Sequence, residues 1–77
     1  MTQKDKILNK AERNPSGLSF LEFQNLLSGF DWIKDRQKGS HEIWYSLTGD
    51  RLSIQNRQGM AKGYQVKQFL KYLKVQE

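Results

Sequence analysis

Cysteine is absent from this chain, and histidine and proline occur once each. Without thiols there is neither a disulfide framework nor a cysteine-based zinc site to hold a small domain together or to do its chemistry. One imidazole and scattered carboxylates offer too few converging ligands for a metal centre, so metal-dependent chemistry is not expected. The glycines at 39, 49, 59 and 63 are too dispersed for a Walker-type phosphate loop or a dinucleotide fingerprint, and no small-molecule cofactor is implied. No apolar run approaches the roughly 18 residues of a membrane span. The stretch MTQKDKILNK also lacks the apolar segment of a secretory signal, so the expectation is a cytoplasmic protein without membrane contact.

What is present is enough for one domain. A chain of 77 residues buries only about 60% of the surface its unfolded form exposes, so residues 1–77 are read as a single unit with a small core. The content of 36% hydrophobic and 27% charged residues is that of a folded globule. The net charge of +5 is unevenly placed. Residues 1–31 carry four basic and four acidic groups, whereas residues 32–77 carry nine basic against four acidic. A basic half points to a polyanionic partner such as nucleic acid or an acidic protein, with a merely solubilising surface as the plainer reading.

In KDKILNKAER (4–13), Ile7, Leu8 and Ala11 predict a short helix with a narrow apolar stripe, ended at Asn14-Pro15 because the residue before proline is driven out of the helical region. A second helix starts at Ser19, whose hydroxyl caps the first turn while Glu22 reaches back in a capping box. Phe20, Phe23, Leu26, Leu27 and Phe30 form its inward stripe, and Gly29 suits its C-cap. The period then changes. Residues 32–36, 42–47 and 51–55 alternate apolar with polar residues and read as three strands, the last two joined by a turn at Gly49. The run 57–63 reads as a glycine-bearing loop. From Tyr64 a final helix buries Val66, Phe69, Leu70 and Leu73 and carries Lys67, Lys71 and Lys74 roughly 100° around from that face. That lysine stripe is either a solvated face or a phosphate-contacting one. The order helix, helix, strand, strand, strand, helix predicts an α+β two-layer sandwich, with a three-stranded antiparallel sheet covered by helices on one face.

The candidate chemistry centres on KGSHEIW (38–44). Ser40 and His41 are adjacent, and neighbours on a strand point to opposite faces, which argues against a serine hydrolase. An imidazole moves protons both ways near neutral pH. Metal-free RNA cleavage needs a base to take the ribose 2′-OH proton and positive groups to stabilise charge developing at phosphorus. His41 is the candidate base, and Lys38, Arg57 and Lys62, all expected in loops, are candidate phosphate ligands. DNA lacks the 2′-OH, so such a scheme selects RNA. A histidine at a strand edge with a purely structural role is the plain alternative.

The residues KGSH at 38–41 followed by EIWY, and then GMAKGYQVKQFLKYL at 59–73, resemble the HicA-like (YcfA-like) toxins of bacterial toxin–antitoxin pairs, over about 18–73. The resemblance implies a fold similar to the double-stranded RNA-binding domain, with the helix at 4–13 as an addition. It implies a metal-independent mRNA interferase, neutralised by a HicB-like antitoxin, with His41 catalytic and Gly39 and Ser40 forming its turn. RNA-binding residues are then Lys38, Gly39, Ser40, Arg57, Lys62, Lys67 and Lys71. Two positions depart from the family pattern. Glu42 follows the histidine, and strand alternation should turn it to the opposite face. Gly63 stands where the family usually has proline, which should loosen the entry to the last helix. The alternative of another class is a non-catalytic RNA-binding module of the same fold, with salt-dependent binding to duplex RNA and no cleavage.

Overall fold

The computed structural model describes residues 3–76. Its elements run α1 (Gln3–Arg13), a single 3₁₀ turn (Pro15–Gly17), α2 (Phe20–Gly29), β1 (Ile33–Lys38), β2 (His41–Tyr45), β3 (Arg51–Arg57), β4 (Met60–Ala61) and α3 (Gly63–Gln76). The fold is α+β, with one antiparallel sheet in the order β1-β2-β3-β4.

The start of α2 is set by its own sequence. The Glu22 amide donates to Ser19 Oγ (3.1 Å) and the Ser19 amide donates to Glu22 Oε1 (3.0 Å), the reciprocal capping box expected from S-x-x-E. The end of α2 differs from the expectation. Gly29 is the last helical residue, and the left-handed position falls on Asp31, at φ 66°. There the Asp31 amide donates to Ser28 O (3.1 Å) and the Trp32 amide to Leu27 O (3.0 Å), the paired bonds of a Schellman motif. Aspartate tolerates this backbone better than most residues because its short polar side chain bonds locally. Trp32 is thereby directed into the core, where it is 3% exposed, and β1 begins one residue later than its apolar pattern indicates.

A fourth strand occupies part of the segment read as a loop. Gln58 and Gly59 both adopt positive φ (54° and 86°), the pattern of a type I′ hairpin turn, and fold Met60–Ala61 back onto Asn56–Arg57. The other edge of this short strand is also used. The Phe20 amide donates to Gly59 O (2.9 Å) and the Ala61 amide to Leu18 O (3.0 Å), which stitches the entry of α2 to the sheet.

The sheet is sided. On β2 and β3, Glu42, Trp44, Leu52 and Ile54 are buried toward the helices, while His41, Tyr45, Arg51 and Ser53 are exposed on the other face. The core joins these strand residues to Ile7 and Ala11 of α1, Phe23, Leu26 and Leu27 of α2, and Val66 and Phe69 of α3. Phe69 packs edge-to-face against Phe23 (6.0 Å between centroids), Phe30 (5.8 Å) and Trp32 (5.7 Å). Gly63 opens α3 against the 3₁₀ turn. A Cβ there would meet Ser16 Oγ and lie 3.3 Å from Ser16 Cα, a close approach that glycine accommodates.

The capping box carries a charge as well. Lys10 Nζ lies 3.0 Å from Glu22 Oε1, and the Ser19 amide together with Lys10 holds the Glu22 carboxyl below the ordinary glutamate range. A carboxyl depressed in the folded state contributes stability that is present above its unfolded pKa and lost as pH falls through the folded value. Glu22→Gln, which can keep the cap, should flatten the acid limb of a stability-versus-pH curve measured by urea unfolding. Ser19→Ala should cost about 1 kcal/mol at neutral pH.

Candidate functional site

His41 opens β2 immediately after the two-residue turn Gly39-Ser40, with Gly39 at φ 62°. The turn is tied down on both sides, because Gln37 Nε2 donates to Gly39 O (3.2 Å) and the Asn56 amide donates to Ser40 O (3.0 Å). Pairing of β1 with β2 sets Lys38 opposite His41, and pairing of β2 with β3 sets Gln55 opposite His41 on its other side. Residues paired directly across antiparallel strands share a face, so Lys38, His41 and Gln55 form one row on the exposed side of the sheet.

The register of that row depends on a bulge. Lys34 pairs with Trp44 and Arg36 with Ile43, leaving Asp35 as the extra residue. The insertion places Arg36 and Lys38 on the exposed face beside Ile43 and His41, while Lys34 remains on the helix side with Trp44.

Glu42 points the opposite way, as alternation requires. Its carboxylate is buried, 5% exposed as a residue, and accepts hydrogen bonds from Gln24 Nε2 (2.9 Å) and Trp44 Nε1 (3.0 Å), with Lys34 Nζ at 3.8 Å. The carboxylate next to the histidine in sequence is therefore a bracket between β2 and α2. It adds no negative group to the His41 face.

The predicted residues fall into separate places. His41 lines an open hollow with Arg51 and Ser53 of β3 and Tyr64, Gln65 and Gln68 of α3. Arg57 and Lys62 line a different hollow, with Ser16, Met60 and Gly63, at the start of α3. Lys38 ends β1 and Arg57 ends β3, so of the three cations expected in loops only Lys62, between β4 and α3, lies in one. Tyr64 lines both hollows and is the residue that joins them. Lys67 and Lys71 are exposed on α3, one turn apart, outside the residues lining the His41 hollow. Lys38 alone of the proposed cations is set beside His41 by strand pairing.

Arg51, Ser53, Tyr64, Gln65 and Gln68 of the His41 hollow were not anticipated from the sequence, and two of them are tied to their surroundings. Gln65 is 5% exposed, and its Oε1 accepts from the Gln55 amide (2.8 Å) while its Nε2 donates to Tyr64 Oη (3.4 Å). It fixes the first turn of α3 to the strand position opposite His41. Tyr64 is exposed beside Lys62, whose Nζ lies 5.8 Å from its ring centroid. An aromatic at a helix start next to basic residues was its signal, whereas a glutamine beside an apolar helical face carries none.

Among the described residues, no group of three or more His, Cys, Asp or Glu side chains is placed to hold a metal ion, and no helix is long and apolar enough to cross a membrane. The chain matches no protein-family model, no curated protein and no solved structure.

Glu42→Ala should leave Trp44 Nε1 and Gln24 Nε2 without their acceptor and cost about 1–3 kcal/mol, read as a lowered Tm. Glu42→Gln, which retains an acceptor oxygen, should lose less. Destabilisation by Glu42→Ala no greater than that of a surface substitution would contradict the bracket.

Proposed function

We propose that this chain is a metal-independent endoribonuclease that cleaves mRNA, the toxin of a HicA-like pair, held inactive by a HicB-like antitoxin. The observation that carries the reading is the row on the exposed sheet face. His41 stands beside Lys38, and the adjacent carboxylate, Glu42, is turned into the core. The surroundings of the imidazole are therefore cationic and polar, which suits an anionic substrate. An antiparallel sheet with helices on one side agrees with the double-stranded RNA-binding-domain likeness that the KGSH and AKGYQV stretches imply, extended here by β4 and α1.

In this reading the His41 imidazole takes the proton of a ribose 2′-OH. The freed oxygen attacks the adjacent phosphorus, a 2′,3′-cyclic phosphate forms, and the 5′-oxygen leaves with a proton. Lys38 stabilises the charge gathering on the phosphoryl oxygens. Arg57, Lys62, Lys67 and Lys71 lie further along the basic surface and hold neighbouring phosphates, a positioning role that carries no sequence information. With one imidazole in the chain, the leaving-group proton comes from water or from the same ring after it has been protonated.

His41→Ala should lower cleavage of a transcribed mRNA by roughly 10²–10⁴-fold and abolish growth arrest, with an unchanged circular dichroism spectrum. Full activity in that variant would reject the assignment. Lys38→Ala should weaken RNA binding evenly across sequences and reduce the slope of log K against log salt by about one. Wild-type protein that binds RNA with a steep salt dependence yet yields no shortened product would replace the nuclease with a binding module.

A further inference from the structure

Tyr64 is a large aromatic left 63% exposed in the first turn of α3. Isolated exposed side chains are ordinary, and its position is what distinguishes this one. It is the residue shared by the hollow lined by His41 and the hollow lined by Arg57 and Lys62. Its ring therefore borders both hollows. The ring also has polar neighbours. Its hydroxyl accepts from Gln65, which is itself buried and anchored to the Gln55 amide directly across from His41. Lys62 Nζ lies within cation–π range of the ring. A tyrosine has only two side-chain torsions to lose on binding, and its π-face accepts any base.

We propose that Tyr64 is a base-stacking platform of the His41 site, so that the substrate is RNA unpaired at the point of reaction. The inference rests on the ribonuclease reading. With a phosphate beside His41 and Lys38, the base of a neighbouring nucleotide covers the Tyr64 ring and the next phosphates run toward Lys62 and Arg57. Bases within a duplex are stacked on one another and paired, and the deep, narrow groove of A-form RNA keeps side chains from reading them. An exposed ring therefore gains only from a base that is free to leave that stack. The two tryptophans take no part, being 3% and 5% exposed in the core. Tyr45, the other exposed tyrosine, lies at the far end of β2, about 13 Å along the strand from His41.

The test uses a short single-stranded RNA whose 2′-hydroxyls are methylated, so that affinity is read by fluorescence anisotropy without cleavage, and the same sequence as a duplex. Wild type, Tyr64→Phe, Tyr64→Ala and Tyr45→Ala are compared, together with their cleavage of unmodified RNA. Tyr64→Ala should bind the single strand roughly 5- to 100-fold more weakly, while Tyr64→Phe and Tyr45→Ala should stay within about two-fold of wild type. Duplex affinity should be the same for wild type and Tyr64→Ala. Wild type that cleaves and binds, with Tyr64→Ala equal to it on the single strand, overturns the stacking platform alone. An equal loss in Tyr45→Ala, or an equal loss on duplex, overturns it as well. Wild type that neither binds nor cleaves the single strand overturns both this inference and the ribonuclease reading.

Discussion

The ring of Phe69 is fully buried, and it meets Phe23 of α2, Phe30 at the end of α2 and Trp32 at the entry to β1 edge-to-face. Each such pair contributes about 0.5–1.5 kcal/mol beyond the area it buries. Together they clamp α3 to the elements on either side of the Schellman turn. The placement of the site follows from that clamp. With α3 docked, Gln65 reaches the Gln55 amide, and Tyr64 and Gln68 come to stand beside His41. Without it, His41 would be one side chain on an open sheet face.

The second constraint is the period of two along β2. Glu42 and Trp44 turn inward and satisfy one another, while His41, Ile43 and Tyr45 turn outward. A shift of one residue in the pairing would bury the imidazole and expose the carboxylate. The tight turn at Gly39-Ser40 and the bond from Asn56 to Ser40 secure the register at the end where His41 stands. At the other end the bulge at Asp35 absorbs one extra residue of β1, which keeps Lys38 on the same face as His41. Charge at the site is thus controlled by strand geometry. The sequence neighbours of His41 are a poor guide to what it faces in space.

Much of the fold was legible because its signals are local. The capping box of α2, the apolar spacing of α2 and α3, and the turn at Gly49 each depend on residues within a few positions of one another. The misreadings have the same origin. β4 holds only Met60 and Ala61, too short to display alternation, and its turn places Gln58, a residue with no preference for the left-handed region, at φ 54°. Gly29 carries the local C-terminal signal of α2, yet Asp31 takes the left-handed position and Trp32 follows it into the aromatic cluster. The close approach of Ser16 to Gly63 joins residues 47 positions apart and has no local signal.

By itself the sequence determined the α+β class, the apolar faces of the main helices and the basic character of the second half. It also determined that Glu42 turns away from His41, since alternation along a strand is a property of the backbone alone. The tertiary structure decided the company His41 keeps. Lys38, Gln55, Tyr64 and Gln68 are brought to it by pairing and docking, while Arg57 and Lys62 are gathered in a second hollow that shares Tyr64 with the first. The physical reason is range. Capping, turn chemistry and strand period act over a few residues, but the place where a helix meets a sheet edge is set by core packing among residues as distant as Phe23 and Phe69.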